Sequence, residues 1–148
     1  MTVDWTKQLY WEDLADGESI PPLSFPLSYH RMIAQAAANK DLSQIHINTE
    51  VAQAQGAPEI YANNVFHQSM WERTVREYIG LDGVIKKIGP FRMTTFCTVG
   101  ETVVVSGHVK KKWQNHDENF VEIQMASTIS RGECVHGTVT VTLPTKPK

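Results

Sequence analysis

At 148 residues, 41% of them hydrophobic and 20% charged, the chain is sized and composed for one globular domain with its own core, spanning residues 1–148. That composition excludes collagen-like, coiled-coil and disordered classes. A net charge of −2 supplies no global positive field for a phosphate backbone, so nucleic acid is not an expected partner.

Cys97 and Cys134 form no CxxC pair. Neither a disulfide framework nor a cysteine-based zinc site is expected, and two small apolar thiols in strands are. No metal-ligand spacing is present. No run approaches the ~20 apolar residues of a membrane span. Met1 to Tyr10 carries Asp4 and Trp5 where a signal peptide needs an apolar run. A cytoplasmic setting without membrane partners is the expectation.

In chain order, the first turn signal is Asp16-Gly17. Ile20 to Leu27 holds Pro21, Pro22 and Pro26, which suits an edge strand. Ser28 stands at an N-cap position for a short helix, Tyr29 to Lys40, with Met32, Ile33, Ala36 and Ala37 on one face. Thr49 caps a short helical stretch through Gln55, with Gly56 at C′. After Asn63-Asn64, the most helical segment runs from Val65 to Ile79. Its stripe is Phe66, Met70, Trp71, Val75, Tyr78 and Ile79, with i+4 pairs Glu72–Arg76 and Arg73–Glu77 opposite. Gly80 stops it.

Beyond Gly80 the apolar period becomes two. Strands are predicted over Val84 to Phe96, broken at Gly89-Pro90, and over Thr102 to Val109. Two more follow around Val121 to Ile129 and Val135 to Leu143. The short turns between them join antiparallel neighbours. The fold class is therefore α+β: an antiparallel curved sheet wrapped around one long central helix, the hot-dog arrangement.

The residues that carry chemistry are Asp41 and His46, in Asp41-Leu42-Ser43-Gln44-Ile45-His46. They lie in an irregular stretch between a helix end and the core helix, where functional groups are held by a rigid scaffold. Together with Trp11 to Leu14, Gly17-Glu18 and Pro22, this spacing resembles the MaoC-like acyl dehydratases, the (R)-specific enoyl-CoA hydratases, over roughly residues 10 to 110. That family carries Asp-x-Asn-Pro-x-His at the same spacing, then an Ala-x-x-x-Gly stretch matched by Ala52 to Gly56, and a His-Gly pair where this chain has Asn63-Asn64. A closer likeness is to the small subunits of heteromeric steroid side-chain hydratases. These keep the Asp and His without the Asn-Pro, and share Ala52, Ala54, Gln55, Gly56, Asn63, Ile60-Tyr61 and Ile88-Gly89.

The resemblance implies hydration of a 2-enoyl-CoA thioester, with a bulky steroid-type acyl group as one candidate. It makes Asp41 the water-activating base and His46 its partner on the same water. Helix N-termini present unpaired donors and a positive dipole end. The oxyanion or substrate-binding candidates are therefore Asn64, through its backbone N–H, and Asn63. The family's second oxyanion donor is the backbone N–H at His46. No cofactor is implied, because coenzyme A belongs to the substrate. The implied assembly is a homodimer or a heteromer with a second MaoC-like subunit.

Several positions depart from the pattern. Ser43 and Gln44 replace Asn-Pro, and Asn64 replaces a Gly. The family's core-helix Ser has no match: Ser69 is out of register and Glu72 is in register. Two other readings stay open. One is a hot-dog acyl-CoA thioesterase using Glu72. The other is a non-catalytic acyl-CoA-binding partner subunit. Lys110 to Lys112 are candidates for coenzyme A phosphates, against solvation at a strand end.

Overall fold

The computed structural model describes residues 3–147. The period-two segments form one five-stranded sheet. Its strands are β1 (Ser19–Pro26), β2 (Val84–Met93), β3 (Thr102–Asn115), β4 (Glu118–Ile129) and β5 (Gly132–Thr142). All pairings are antiparallel, in the spatial order β1-β3-β4-β5-β2. In β4, Val121, Ile123, Met125, Ser127 and Ile129 are buried while the residues between them are not, the alternation expected of a sheet with one covered face.

The two edge strands carry the prolines. Pro21 and Pro22 sit at the register shift between Ile20 and Leu23, and Pro90 at the shift between Ile88 and Phe91. Proline donates nothing to a ladder and blunts an exposed edge. Close approach also constrains a glycine of β5. A Cβ at Gly137 would lie 2.3 Å from the Pro90 carbonyl oxygen.

Three helices precede the β2–β5 run: α1 (Tyr29–Ala38), α2 (Thr49–Ala54) and α3 (Asn64–Ile79). α3 lies against β1, β2 and β3. Its inward face is Phe66, His67, Met70, Trp71, Thr74, Val75 and Ile79. Burying such a stripe, at about 25 cal/mol per Å² of apolar surface, is the main force holding helix to sheet. Trp71 Nε1 donates to Ser127 Oγ at 2.8 Å, so the indole is paired as well as packed. Gly80 ends the helix at φ 78, with its N–H on the Arg76 carbonyl.

The α+β hot-dog class is the one expected, and several details differ from the sequence reading: β2 ends at Met93 rather than Phe96, β3 runs on to Asn115, and Ile33 of the first helix is exposed. Asn48, not Thr49, caps α2, its side chain accepting from Val51 N–H. Asn63 caps α3, which therefore begins at Asn64. Of the two i+4 pairs, Arg73–Glu77 forms; Arg76 instead donates to the carbonyls of Gly80 and Gly83. Both cysteines are buried and free, but only Cys134 is in a strand; Cys97 lies in the loop after β2.

Candidate active site

The end of α1 places Asp41. Past the C-cap Asn39, Lys40 adopts φ 56, and its N–H donates to Ala37 O at 3.0 Å. The Asp41 N–H then reaches back to Ala36 O at 2.9 Å. This pair of bonds is a Schellman motif, and it turns the chain sharply out of the helix. Asp41 Oδ1 accepts from Ser43 N–H at 3.2 Å, a local turn open to a short acidic side chain. A 3₁₀ turn over Gln44–His46 follows and brings the His46 ring back onto the Asp41 carboxylate. Asp41 Oδ2 and His46 Nε2 stand 3.4 Å apart.

A third element meets them. Asn63 Nδ2 donates to Asp41 Oδ2 at 2.9 Å, while Asn63 Oδ1 accepts from Phe66 N–H at 2.8 Å. The residue that caps α3 thus also orients the carboxylate. Asn39 Nδ2 approaches the same Oδ1 at 3.5 Å. Burial pushes the Asp41 carboxyl up. The Asn63 amide, the Ser43 N–H and the positive charge of His46 when its ring is protonated more than offset it and hold the group below its ordinary value.

His46 is buried, with its Nδ1 2.7 Å from the Tyr61 carbonyl oxygen. A carbonyl only accepts, so Nδ1 carries the proton. In the neutral ring, Nε2 then presents a lone pair toward Asp41. The Tyr61 ring meets His46 edge-on at 5.0 Å and tilts on Phe96 at 4.6 Å. Its main chain is pinned by the Tyr61–Thr98 bridge, by Ala62 N–H on Cys97 O at 2.9 Å, and by Val99 N–H on Ile60 O at 3.0 Å.

The beta subunit of 3-oxo-4,17-pregnadiene-20-carboxyl-CoA hydratase from Mycobacterium tuberculosis is 24% identical over 112 residues, covering 76% of this chain and 83% of the relative. The ChsH1-ChsH2 complex from Mycobacterium tuberculosis superposes with a TM-score of 0.80 at 23% identity, over 87% of this chain and 98% of the matched one. A MaoC-like dehydratase from Rhodospirillum rubrum superposes at 0.82 with 20% identity, over 95% and 99%. The fold is the MaoC-like hot-dog fold. No family model matches the chain.

Within this hot-dog frame, Asp41, His46 and Asn63 come together in direct contact. Asn64 is the first residue of α3, and its N–H has no acceptor within the helix. The His46 backbone N–H, the second donor implied by the resemblance, lies 3.3 Å from Ser43 O in its own turn. Glu72 is exposed on α3, eight residues beyond Asn64, which is about 12 Å along the helix axis. Ser69 donates to the Val65 carbonyl.

Within the lysine run, Lys112 is tied into the fold, while Lys110 and Lys111 are exposed. Lys112 donates to the carbonyls of Trp11 and Leu14 and lies 4.0 Å from the Trp11 ring centroid. Lys110 pairs with Glu122, and Lys111 sits over Trp113. Sequence reasoning missed Tyr61 as a site residue, because a main-chain carbonyl leaves no mark on side-chain identity. Among the described residues, no group of three or more His, Cys, Asp or Glu is placed to hold a metal ion. No helix among them is long and apolar enough to cross a membrane.

Proposed function

We propose that the chain is a hydratase subunit that adds water across the 2,3 double bond of an enoyl-CoA thioester. The observation that carries this reading is the 2.7 Å contact of His46 Nδ1 with the Tyr61 carbonyl, beside Asp41 Oδ2 at 3.4 Å from Nε2. With Nδ1–H committed to Tyr61, the neutral ring turns the lone pair of Nε2 toward Asp41 Oδ2, and both are then acceptors. Two facing acceptors repel unless a donor of two protons bridges them. A water approaching the pair from one side supplies those two protons within ordinary hydrogen-bond reach, about 2.8 Å.

Asp41 takes one proton as the water oxygen bonds to C3. The electron pair of the double bond moves toward the thioester oxygen, and C2 then takes the proton back from the dyad. The Asn64 N–H at the positive end of α3 stabilises the enolate-like oxygen. No cofactor enters, since water is the co-reactant and coenzyme A travels with the substrate. The likeness to a hydratase beta subunit and to a two-component complex supports a substrate with a bulky, steroid-type acyl group. The complex also supports assembly with a second MaoC-like subunit; a homodimer is the alternative, and a cytoplasmic setting belongs to the same proposal.

The test is loss of enoyl-thioester absorbance, with the chain alone and with any subunit that co-purifies. Asp41→Asn is expected to lower kcat by about 10²–10⁴, the usual contribution of a positioned base. Full activity in Asp41→Asn would overturn the proposal and leave a chain that binds acyl-CoA without catalysing.

A further inference from the structure

His67 is the fourth residue of α3, and its N–H donates to the Asn63 carbonyl at 3.2 Å. It therefore lies one turn, about 5.4 Å, below the residue that orients Asp41, on the same side of the helix. The ring is 1% exposed, and among the described residues neither Nδ1 nor Nε2 has a hydrogen-bond partner. Its neighbours on the inward face are Phe66, Met70 and Trp71, and Trp71 gives its only donor to Ser127. Buried polar groups are nearly always paired, and a ring left without partners weakens the fold for no structural return. A leucine at this position would pack the same interface without that cost.

Burial lowers the ring from its ordinary 6.5 to about 4, so it is uncharged at neutral pH. A neutral imidazole offers one donor and one acceptor. That suits an uncharged oxygen, and the ring brings no countercharge to bury a carboxylate or a phosphate. The ring is sealed from solvent, so its partner reaches it through the helix–sheet interface. Met70, three residues on, is an unbranched side chain that yields readily. If the thioester oxygen lies at Asn64, an acyl tail running inward along α3 meets His67 a few carbons beyond the reacting centre.

We infer that His67 is a specificity-determining residue, whose buried ring binds a hydroxyl or carbonyl oxygen carried by the acyl tail. This rests on the acyl-CoA reading above and deepens it, by naming an oxygenated tail as the preferred substrate class. The ring takes no part in bond making at C2 or C3.

The experiment uses two saturated, unreactive acyl-CoAs of equal length. One carries a hydroxyl group a few carbons from the thioester and the other carries none. Their binding to the full chain, with any co-purifying subunit, is measured by calorimetry. Wild type is expected to favour the hydroxylated ligand about tenfold, as one net hydrogen bond to an otherwise unpaired group allows. His67→Leu is expected to lose that preference by weakening the hydroxylated ligand alone, while His67→Gln, which keeps a donor and an acceptor, retains part of it.

Equal binding by wild type, or a preference that survives His67→Leu, would overturn the inference and make the ring a packing or buried-water site. If His67→Leu does not fold, a full preference in a folded His67→Ala would overturn it equally. Binding does not use the dyad, so the two readings fail separately. An intact preference with no hydration of any enoyl-CoA sinks the hydratase proposal alone, and absence of binding by either ligand sinks both.

Discussion

The carboxylate of Asp41 is pulled in opposite directions. Burial favours its neutral form, while the Asn63 amide, the Ser43 N–H and the positive charge of a protonated His46 ring favour the charged one and prevail. Because the folded value is depressed, the charged base persists to lower pH than an ordinary carboxylate, and stability tied to it is lost only as pH falls through the depressed value. Asn63 does two things at once here, and one substitution separates them. Serine is as good an N-cap as asparagine but has no amide to give Asp41. Asn63→Ser is therefore expected to melt within a few degrees of wild type. The Asp41 carboxyl, followed by NMR titration, should protonate at higher pH, because a contribution that lowers it has been removed. An unmoved Asp41 titration would mean that the amide does not control the base.

The same residues look different at the level of the elements they terminate. Asp41 is where it is because α1 ends in a Schellman motif, and the residue at its left-handed position is Lys40, φ 56, rather than glycine. A side chain there costs roughly 1–2 kcal/mol. Lys40→Gly is expected to raise unfolding free energy by about 1 kcal/mol in denaturant titration. The Asp41 N–H to Ala36 O bond, and hence the hydration rate, should be unchanged.

Helix α1 was legible from its alanine-rich face and from Ser28, α3 from its wide stripe, and the strands from strict alternation, because each of these signals is local. Asp41 and His46 were legible because their local spacing resembles a family motif. The partnership of Asn63 with Asp41 spans 22 residues, and the hold on His46 is a main-chain carbonyl 15 residues away. No periodicity encodes contacts of that kind. Asn48 outcompeting Thr49 as the cap of α2 is a smaller case: two good capping residues stand side by side, and only the backbone turn decides between them.

For the whole molecule, the buried imidazole links the core to pH. His67 binds its proton at about 4 in the folded chain and at its ordinary 6.5 once released. Below 6.5 the unfolded chain therefore takes up a proton that the folded one refuses. The contribution to stability is complete above about pH 6.5 and declines as pH falls toward 4, by on the order of 3 kcal/mol. The lowered carboxylates Asp41, Glu59 and Glu101 add losses of the same sign, but only at lower pH, where they themselves protonate. The core histidine therefore leads the loss of stability between 6.5 and about 4.5. Unfolding free energy measured in urea across that window should slope downward toward acid in wild type. In His67→Leu the slope should largely vanish, with the variant at least as stable at pH 5. A wild-type slope that persists in His67→Leu would place the proton uptake elsewhere. A flat wild-type profile would mean that the ring has found a partner able to keep it charged inside the fold.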